Sequence, residues 1–280
     1  MWYLEHKEII MQNDWLEVSL QVYPKIFLVD ALRYLIPASL TFLLFYVIGR
    51  AWFSHRKIQK VPLRPGQVGR ELYYSILSAL IFGVTGLGVF WLKRSGMTQI
   101  YSDIASLGYL YIPFSVVLVL VMHDAYFYWT HRLLHSKYLY RHVHRIHHLS
   151  TAPSPWAAYA FHPVEAVIQS LIVPIIVLIL PIHPVSIAVF LLIQIIRNVL
   201  GHSGFEIFPA SFSRSALLRL FQSNTDHDLH HRFTHGNYGL YFTWWDRMLG
   251  TDREDSVRVF ERVTNPSGIP LGTMDQERAR

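Results

Sequence analysis

Long apolar runs set apart by blocks of charge constrain this chain more than any other feature. Three of them, about Ala31 to Ile48, Tyr73 to Leu92 and Leu107 to Trp129, approach the ~20 residues that a helix needs to cross a bilayer. In hydrocarbon every backbone amide must be satisfied within its own segment, so such runs fold as helices. The charged fraction is 16%, against about 25% in a soluble domain, which fits one all-α, integral-membrane helical bundle over residues 1–265. Residues 266–280 read as a charged, disordered tail.

A further apolar stretch, Pro163 to Leu200, is too long for one crossing and is interrupted by Pro181, His183 and Pro184. It reads as a helical hairpin with arms of about sixteen residues, short of a full crossing and therefore tilted or partly inserted. Both of its ends then lie on one side of the membrane. The N-terminal residues lack the basic lead, apolar core and cleavage site of a signal peptide. Glu8 to Val29 read as an interfacial lead-in, with Trp15, Tyr23 and Phe27 at headgroup level. The segment Arg50 to Arg70 between the first two runs contains Arg50, Arg56, Lys57, Lys60, Arg64 and Arg70 without an acidic residue. By the positive-inside rule this segment is cytoplasmic, in a bacterial inner membrane or the endoplasmic reticulum, against only Lys93 and Arg94 on the far side. The net charge of +6 is thus explained by topology and headgroup contact, and nucleic acid is excluded as a partner.

The third run returns to the cytoplasmic side and delivers histidines there. Met122 to His148 holds seven of the sixteen in the chain. Residues three and four apart share a helix face, which groups His131 with His135, and His144 with His147 and His148. Beyond the hairpin, His227, His230 and His231 repeat the HxxHH pattern. Eight imidazoles exceed what one tetrahedral ion takes, so the count predicts two metals with four or more nitrogens each. His202, at the end of the hairpin, is a candidate ninth ligand. His123, two turns before His131, is either a further ligand or a lining residue on the approach from the bilayer. The chain has no cysteine, which excludes thiolate zinc sites, iron–sulfur clusters and disulfides. Asp124, Glu165, Asp226 and Asp228 flank the boxes and either orient ligand rings or cap helices. Tyr126, Tyr128, Trp129 and Trp156 are candidate lining for a lateral substrate path between the third run and the hairpin, or members of an interfacial belt. Nothing in the pattern specifies an oligomeric state.

At these residues the chain resembles the fatty acid hydroxylase and sterol desaturase superfamily of membrane di-iron enzymes. The similarity runs from about His123 to Thr251 through HDAYFYWTHRLLH, HRIHH, FHPVE, HSGFEIFP and HDLHHRFTHGNYGLYFTWWDRMLGT, and is nearest in pattern to the sterol C4-methyl oxidase and C5-desaturase branch. It implies His131, His135, His144, His147, His148, His202, His227, His230 and His231 as ligands of two iron ions. Zinc accepts the same imidazoles but has no redox change. Some relatives carry another histidine four residues before the match to His202; this chain has Asn198 there, which is expected beside the ligands.

The resemblance further implies O2-dependent hydroxylation or desaturation of a lipid such as a sterol or fatty acyl chain. No flavin or nicotinamide fingerprint is present, so electrons are expected from a separate donor, a cytochrome b5, ferredoxin or reductase, for which the basic loop is a candidate dock. The competing reading is a non-catalytic zinc transporter or sensor. It requires polar residues threading the bilayer, and the apolar runs read as almost free of buried acids.

Overall fold

The computed structural model describes the backbone of Trp2 to Asn265 and the side chains of Trp15 to Asn265; the expected tail, residues 266–280, lies outside the described residues. Helix α1 (Trp2–Phe42) continues as a π-wound turn to Ile48. It is followed by α2 (Gln67–Arg94) and α3 (Tyr111–Leu134). Residues 137–148 form the short α4, π-wound over Tyr140–His144. The hairpin consists of α5 (Pro163–Ser170), α6 (Ile172–Ile179) and α7 (Pro184–Gly201). The remaining helices are α8 (Asn224–Phe233), α9 (Trp244–Met248) and α10 (Ser256–Thr264). Among the described residues four helical segments are long and apolar enough to cross a membrane: Trp15–Ile48, Gln67–Arg94, Tyr111–Leu134 and Pro184–Gly201.

The membrane helices bury narrow stripes and leave their other faces apolar. On α1 and its extension Ala31, Tyr34, Ala38, Thr41 and Phe45, spaced alternately three and four apart, are buried together with Asp30, while Leu28, Leu32, Ile36 and Leu40 are exposed. That is a helix with one seam against protein and the rest of its surface suited to lipid. The buried seam meets Tyr159, Phe161, Ile195 and Val199, and the Tyr34 hydroxyl donates to the Trp156 carbonyl at 2.8 Å. Helices α1 and α2 approach closely at small residues, as membrane helices commonly do. A Cβ at Gly83 would stand 3.0 Å from the Tyr23 ring, and one at Gly86 2.7 Å from Ile26.

Several boundaries differ from the sequence reading. Glu8 to Val29 is no separate interfacial lead-in; it is continuous helix with the first crossing, and Pro24 and Pro37 lie inside α1 without ending it. At about 1.5 Å per residue, the 34-residue Trp15–Ile48 segment extends well beyond a hydrocarbon core of about 30 Å. Within it, Trp15 stacks on Trp91 at 3.8 Å and the Tyr23 hydroxyl donates to the Leu80 carbonyl, so these aromatics serve α1–α2 packing. The hairpin is present, but its arms are unequal. The first is broken at Leu171, whereas the second, at 18 residues, is long enough to cross. At the hairpin tip, Gln99 and Tyr101 amides donate to the Val177 and Ile182 carbonyls and tie down the loop before α3.

The spans also carry more buried acid than the sequence reading allowed, because each carboxylate has a local partner. Glu71 accepts from Gln67, Ser150 and Ser154. Asp124 accepts from the backbone amides of Tyr241 and Phe242, and Asp30 pairs with Arg33. They are separate anchors; Glu71 is fully partnered, while Asp30 and Asp124 each keep one buried oxygen without a hydrogen-bond partner among the described residues.

The α1–α2 contact gives a controlled prediction. Gly86→Leu, which forces Ile26 to move, is expected to lower the thermal stability of the detergent-solubilised protein by about 1–3 kcal/mol. Gly88→Leu, where an added Cβ meets nothing within 4 Å, is expected to leave it unchanged. Equal effects would remove the close approach as the cause.

Candidate metal centre

The nine histidines expected as ligands come together, and they divide five and four. His131, His135, His144, His148 and His230 form one group, and His147, His202, His227 and His231 the other; within each, one ring nitrogen per residue lies within 4.8 Å of all the rest. Seven of the nine are at most 3% exposed, His227 is 4% exposed and His135 is half-buried.

Helical geometry explains why each HxxHH box serves both groups. At about 100° per residue, positions i and i+4 stand about 40° apart while i+3 lies about 60° to the other side. His144 and His148 therefore go to the group of five and His147 to the group of four. The second box does the reverse, with His227 and His231 in the group of four and His230 in the group of five. The expectation that all three members of a box face one way is thus corrected. The π-winding of Tyr140–His144 sits where α4 has to aim these rings, a placement typical of π-turns at functional sites.

Hydrogen bonds on the outer nitrogens fix how the rings point. The Nδ1–H of His131 donates to the Tyr238 carbonyl at 2.8 Å, that of His230 to Gly236 at 2.7 Å, that of His202 to Asn198 at 2.7 Å and that of His231 to Ser150 at 3.1 Å. His147 makes a longer contact to Ala160 at 3.4 Å, and His144 Nδ1 meets Glu165 Oε1 at 2.8 Å. A carbonyl only accepts, so each of these bonds leaves Nε2 as an inward lone pair. The lone pairs converge. His202 Nε2 is 3.2 Å from His147 Nε2, 3.0 Å from His227 Nε2 and 3.1 Å from His231 Nε2. His148 and His144 are 3.1 Å apart, and His135 and His230 3.2 Å.

Two neutral acceptors at that distance repel unless a cation lies between them. Imidazole nitrogens at about 2.1 Å from one ion are about 3.0 Å apart at right angles and about 3.4 Å apart at the tetrahedral angle. The observed 3.0–3.2 Å fits a near-right-angled arrangement with more than four positions. The donor set therefore fits a pair of divalent ions of intermediate softness. Burial, with the neighbouring rings as a lesser cause, keeps the set unprotonated. It pulls the imidazole of His148 down to about 3 and that of His202 to about 4, and holds His144, His147, His227, His230 and His231 well below the ordinary value.

The flanking residues divide along other lines than expected. Glu165 touches a ligand ring. Asn198 does so through its backbone carbonyl, its side chain donating to the Ala158 carbonyl at 2.6 Å. Asp226 forms a capping box with Ser223 at the start of α8. Asp228 accepts from Gln59 at 2.9 Å, and Asp124 holds the 241–242 backbone. Asp246 was not singled out from sequence, yet it accepts from the Tyr238 and Gly239 amides and the Thr251 hydroxyl, and so holds the loop whose carbonyl orients His131. Gly236 has φ of 73°, and a Cβ there would meet the Thr251 carbonyl at 2.8 Å; glycine is what lets that carbonyl reach His230.

His123 stands outside both groups, with Nδ1 2.8 Å from the Tyr241 hydroxyl. It lines a cavity of about 450 Å³. His123, Phe127 and His131 on α3, with His135 capping its C-terminal end, form one stripe at four-residue spacing, which leads from that cavity to the group of five. Phe127 lies against His131, and Phe161 against His147, at ring separations of 4.9 and 5.0 Å. Phe127, Phe161 and Asn198 close the cavity on the histidine side. None of the four aromatics proposed as lining borders it. Tyr126 donates to the Ile168 carbonyl, Tyr128 meets Thr251 and Trp245, Trp129 is half exposed, and Trp156 packs against Tyr34 and Phe42.

Residues 116–251 match the family model described as fatty acid hydroxylase. Lathosterol oxidase of Mus musculus is 33% identical over 207 residues, covering 73% of this chain and 67% of the relative. The chain belongs to the fatty acid hydroxylase family. A Delta(7)-sterol 5(6)-desaturase of Gibberella zeae is 32% identical over 245 residues, 85% of this chain and 72% of that protein, and lathosterol oxidase of Homo sapiens is 30% identical over 207 residues, 73% and 67%. No solved structure matches. As a fatty acid hydroxylase family member the protein is an integral-membrane oxidoreductase, a lipid hydroxylase or desaturase, and the zinc transporter reading is set aside.

Two predictions follow from the outer hydrogen bonds and the burial. Removing the partner of His144 with Glu165→Leu is expected to weaken metal retention roughly 10- to 100-fold in competition with a chelator, with Glu165→Gln falling between it and the wild type. For metal-stripped protein, the folded-state imidazole values lie below the ordinary 6.5. The unfolded chain then binds more protons as pH falls below about 6.5, and stability present above that value declines towards the folded values. Melting in detergent across this range should show that acid loss, and restored metal should shift it to lower pH.

Proposed function

We propose that the protein desaturates a sterol, with an iron ion held by each histidine group. The observation that carries this reading is the cavity whose inner wall, Phe127, Phe161 and Asn198, touches His131 and His147 by ring contact and His202 through its hydrogen bond. Its volume falls within the roughly 300–1,000 Å³ of small-molecule pockets. It lies among membrane helices, so an apolar ligand reaches it from the bilayer. The relatives named lathosterol oxidase and Delta(7)-sterol 5(6)-desaturase support the sterol as the lipid and ring desaturation as the outcome.

In this reading His131, His135, His144, His148 and His230 hold one iron, and His147, His202, His227 and His231 the other. When bound, the iron pair supplies the two-electron reduction of dioxygen that C–H cleavage requires. The balance is one sterol C–C single bond and one O2, with two electrons and two protons from outside, giving one C=C bond and two waters. The protein's own part is positional. Carbonyls of Tyr238, Gly236, Asn198 and Ser150 hold the tautomers, Glu165 supports His144, and Phe127 and Phe161 keep bulk water from the reacting carbon.

The basic segment between α1 and α2 supports a cytoplasmic orientation and docking of a separate electron donor on that side. It packs directly over the site. Gln59 donates to the Thr151 carbonyl and Arg64 reaches Thr151, while Arg70, in the first turn of α2, reaches Ser150, next to the carbonyl that holds His231. A cytochrome b5, ferredoxin or reductase docking there is close to the group of four.

Protein expressed in iron-replete medium is expected to hold two irons per chain and, with a reductant and a sterol alcohol, to consume oxygen and release a product lighter by two hydrogens. A product heavier by one oxygen would replace desaturation by hydroxylation, and absence of oxygen consumption would end the enzyme reading of this cavity. His230→Ala and His147→Ala are each expected to lower the iron content and abolish turnover while the protein stays in the membrane. Retained turnover would remove the substituted residue from the ligand set.

A further inference from the structure

The cavity behind the histidines is not uniformly apolar, and its charged part comes from α1, outside the segment that matches the family model. Asp30 and Arg33 border it, facing apolar wall supplied by Phe82, Val89, Phe190 and Leu191. Arg33 Nη2 donates to Asp30 Oδ1 one turn away, and Arg33 also reaches the Tyr159 hydroxyl. The Asp30 side chain is 7% exposed. Its second oxygen, Oδ2, and Arg33 Nε are buried and have no hydrogen-bond partner among the described residues.

Ionisable groups within a membrane span are costly to bury, and where they persist they pair with one another and mark ligand paths. Glu71 saturates its oxygens with Gln67, Ser150 and Ser154; Asp124, Glu165 and Asp228 each keep one buried oxygen without a partner, but none of them borders this cavity. Asp30 and Arg33 instead leave one acceptor and one donor spare on the wall of a lipid-sized cavity. The ligand that satisfies both is apolar over most of its surface and carries one neutral group that donates and accepts. A carboxylate is opposed by Asp30, and an ammonium group by Arg33 and the neighbouring Lys25. A hydroxyl fits, donating to the Asp30 carboxylate while accepting from the Arg33 guanidinium.

We propose that Asp30 and Arg33 form a subsite that binds the hydroxyl group of a lipid alcohol and so sets which part of the molecule lies against Phe127 and Phe161. This rests on the reading that the cavity holds the sterol substrate, since a hydroxyl is the polar group a simple sterol offers. Neither residue touches the reacting carbon; both act by positioning.

The test is direct binding to the purified, iron-loaded full chain in detergent, comparing a sterol with its deoxy hydrocarbon, and a long-chain primary alcohol with the corresponding alkane. The wild type is expected to bind the alcohol of at least one pair roughly tenfold more tightly, the scale of a hydrogen bond to a charged group. Asp30→Leu combined with Arg33→Met, which removes both charges together so that neither is left buried alone, should bring the pair to parity with iron content unchanged. Should that double variant lose its iron, the near-isosteric Asp30→Asn is compared in its place and should cut the preference several-fold. Discrimination of the long-chain pair alone, lost in the variant, supports the subsite while contradicting the sterol reading. Equal binding of alcohol and hydrocarbon by the wild type, no binding of any of the four lipids, or a preference that survives substitution overturns the subsite whatever the turnover.

Discussion

The structure depends on hydrogen bonds that point outward from the histidines. Every Nδ1–H given to a carbonyl forces the corresponding Nε2 to be a bare acceptor, and three such carbonyls, those of Tyr238, Gly236 and Ser150, belong to loops outside the membrane helices. Three further acceptors, the Asn198 and Ala160 carbonyls and the Glu165 side chain, add to the frame: Asn198 and Glu165 make short contacts and Ala160 a long one. The consequence is a set of converging lone pairs 3.0–3.2 Å apart, an arrangement that repels itself and is relieved by divalent cations. Asp246, Gly236 and the α8 capping box matter because they hold the loops that hold the rings.

The two groups are interlocked. Because i+4 partners share a face and the i+3 residue falls to the other side, each HxxHH box bridges both groups, and the two boxes do so in opposite senses. Loss of either short helix would therefore disturb both groups at once. The α3 stripe adds the third link, running from the cavity through Phe127 to His131 and His135, so the wall that faces the lipid and the face that presents the ligands belong to one rigid helix.

Much of this was legible from sequence because it follows periodicity. Apolar length gave the membrane helices and the hairpin, histidine spacing gave eight residues that do assemble, and the resemblance, with the place of His202 at the end of the hairpin, supplied the ninth. What escaped reading depends on tertiary contact. Glu8 to Val29 contains charges and a proline and looked like a lead-in, yet packing against α2 at Gly83 and Gly86 carries the helix straight through it. The split of each box requires knowing that two groups lie on either side of one helix. The acceptors for the ring N–H groups are mostly backbone carbonyls, which carry no residue signature, whereas the acidic residues that drew attention, Asp124, Asp226 and Asp228, are occupied by backbone amides and Gln59. Of the aromatic residues expected around the lipid, Tyr126, Tyr128 and Trp129 lie on α3 but not on the face that borders this cavity, which His123 and Phe127 occupy, and Trp156 lies in the 155–159 turn.

The central claim is that nine imidazoles hold two neighbouring ions without help from sulfur or a cage of carboxylates. X-ray absorption at the iron edge of the loaded protein tests it most directly. The account predicts a first coordination layer dominated by imidazole nitrogen at about 2.1 Å, averaging between four and five per iron, with the outer-ring scattering that imidazole produces. A layer dominated by oxygen, or about two imidazoles per iron, would contradict it.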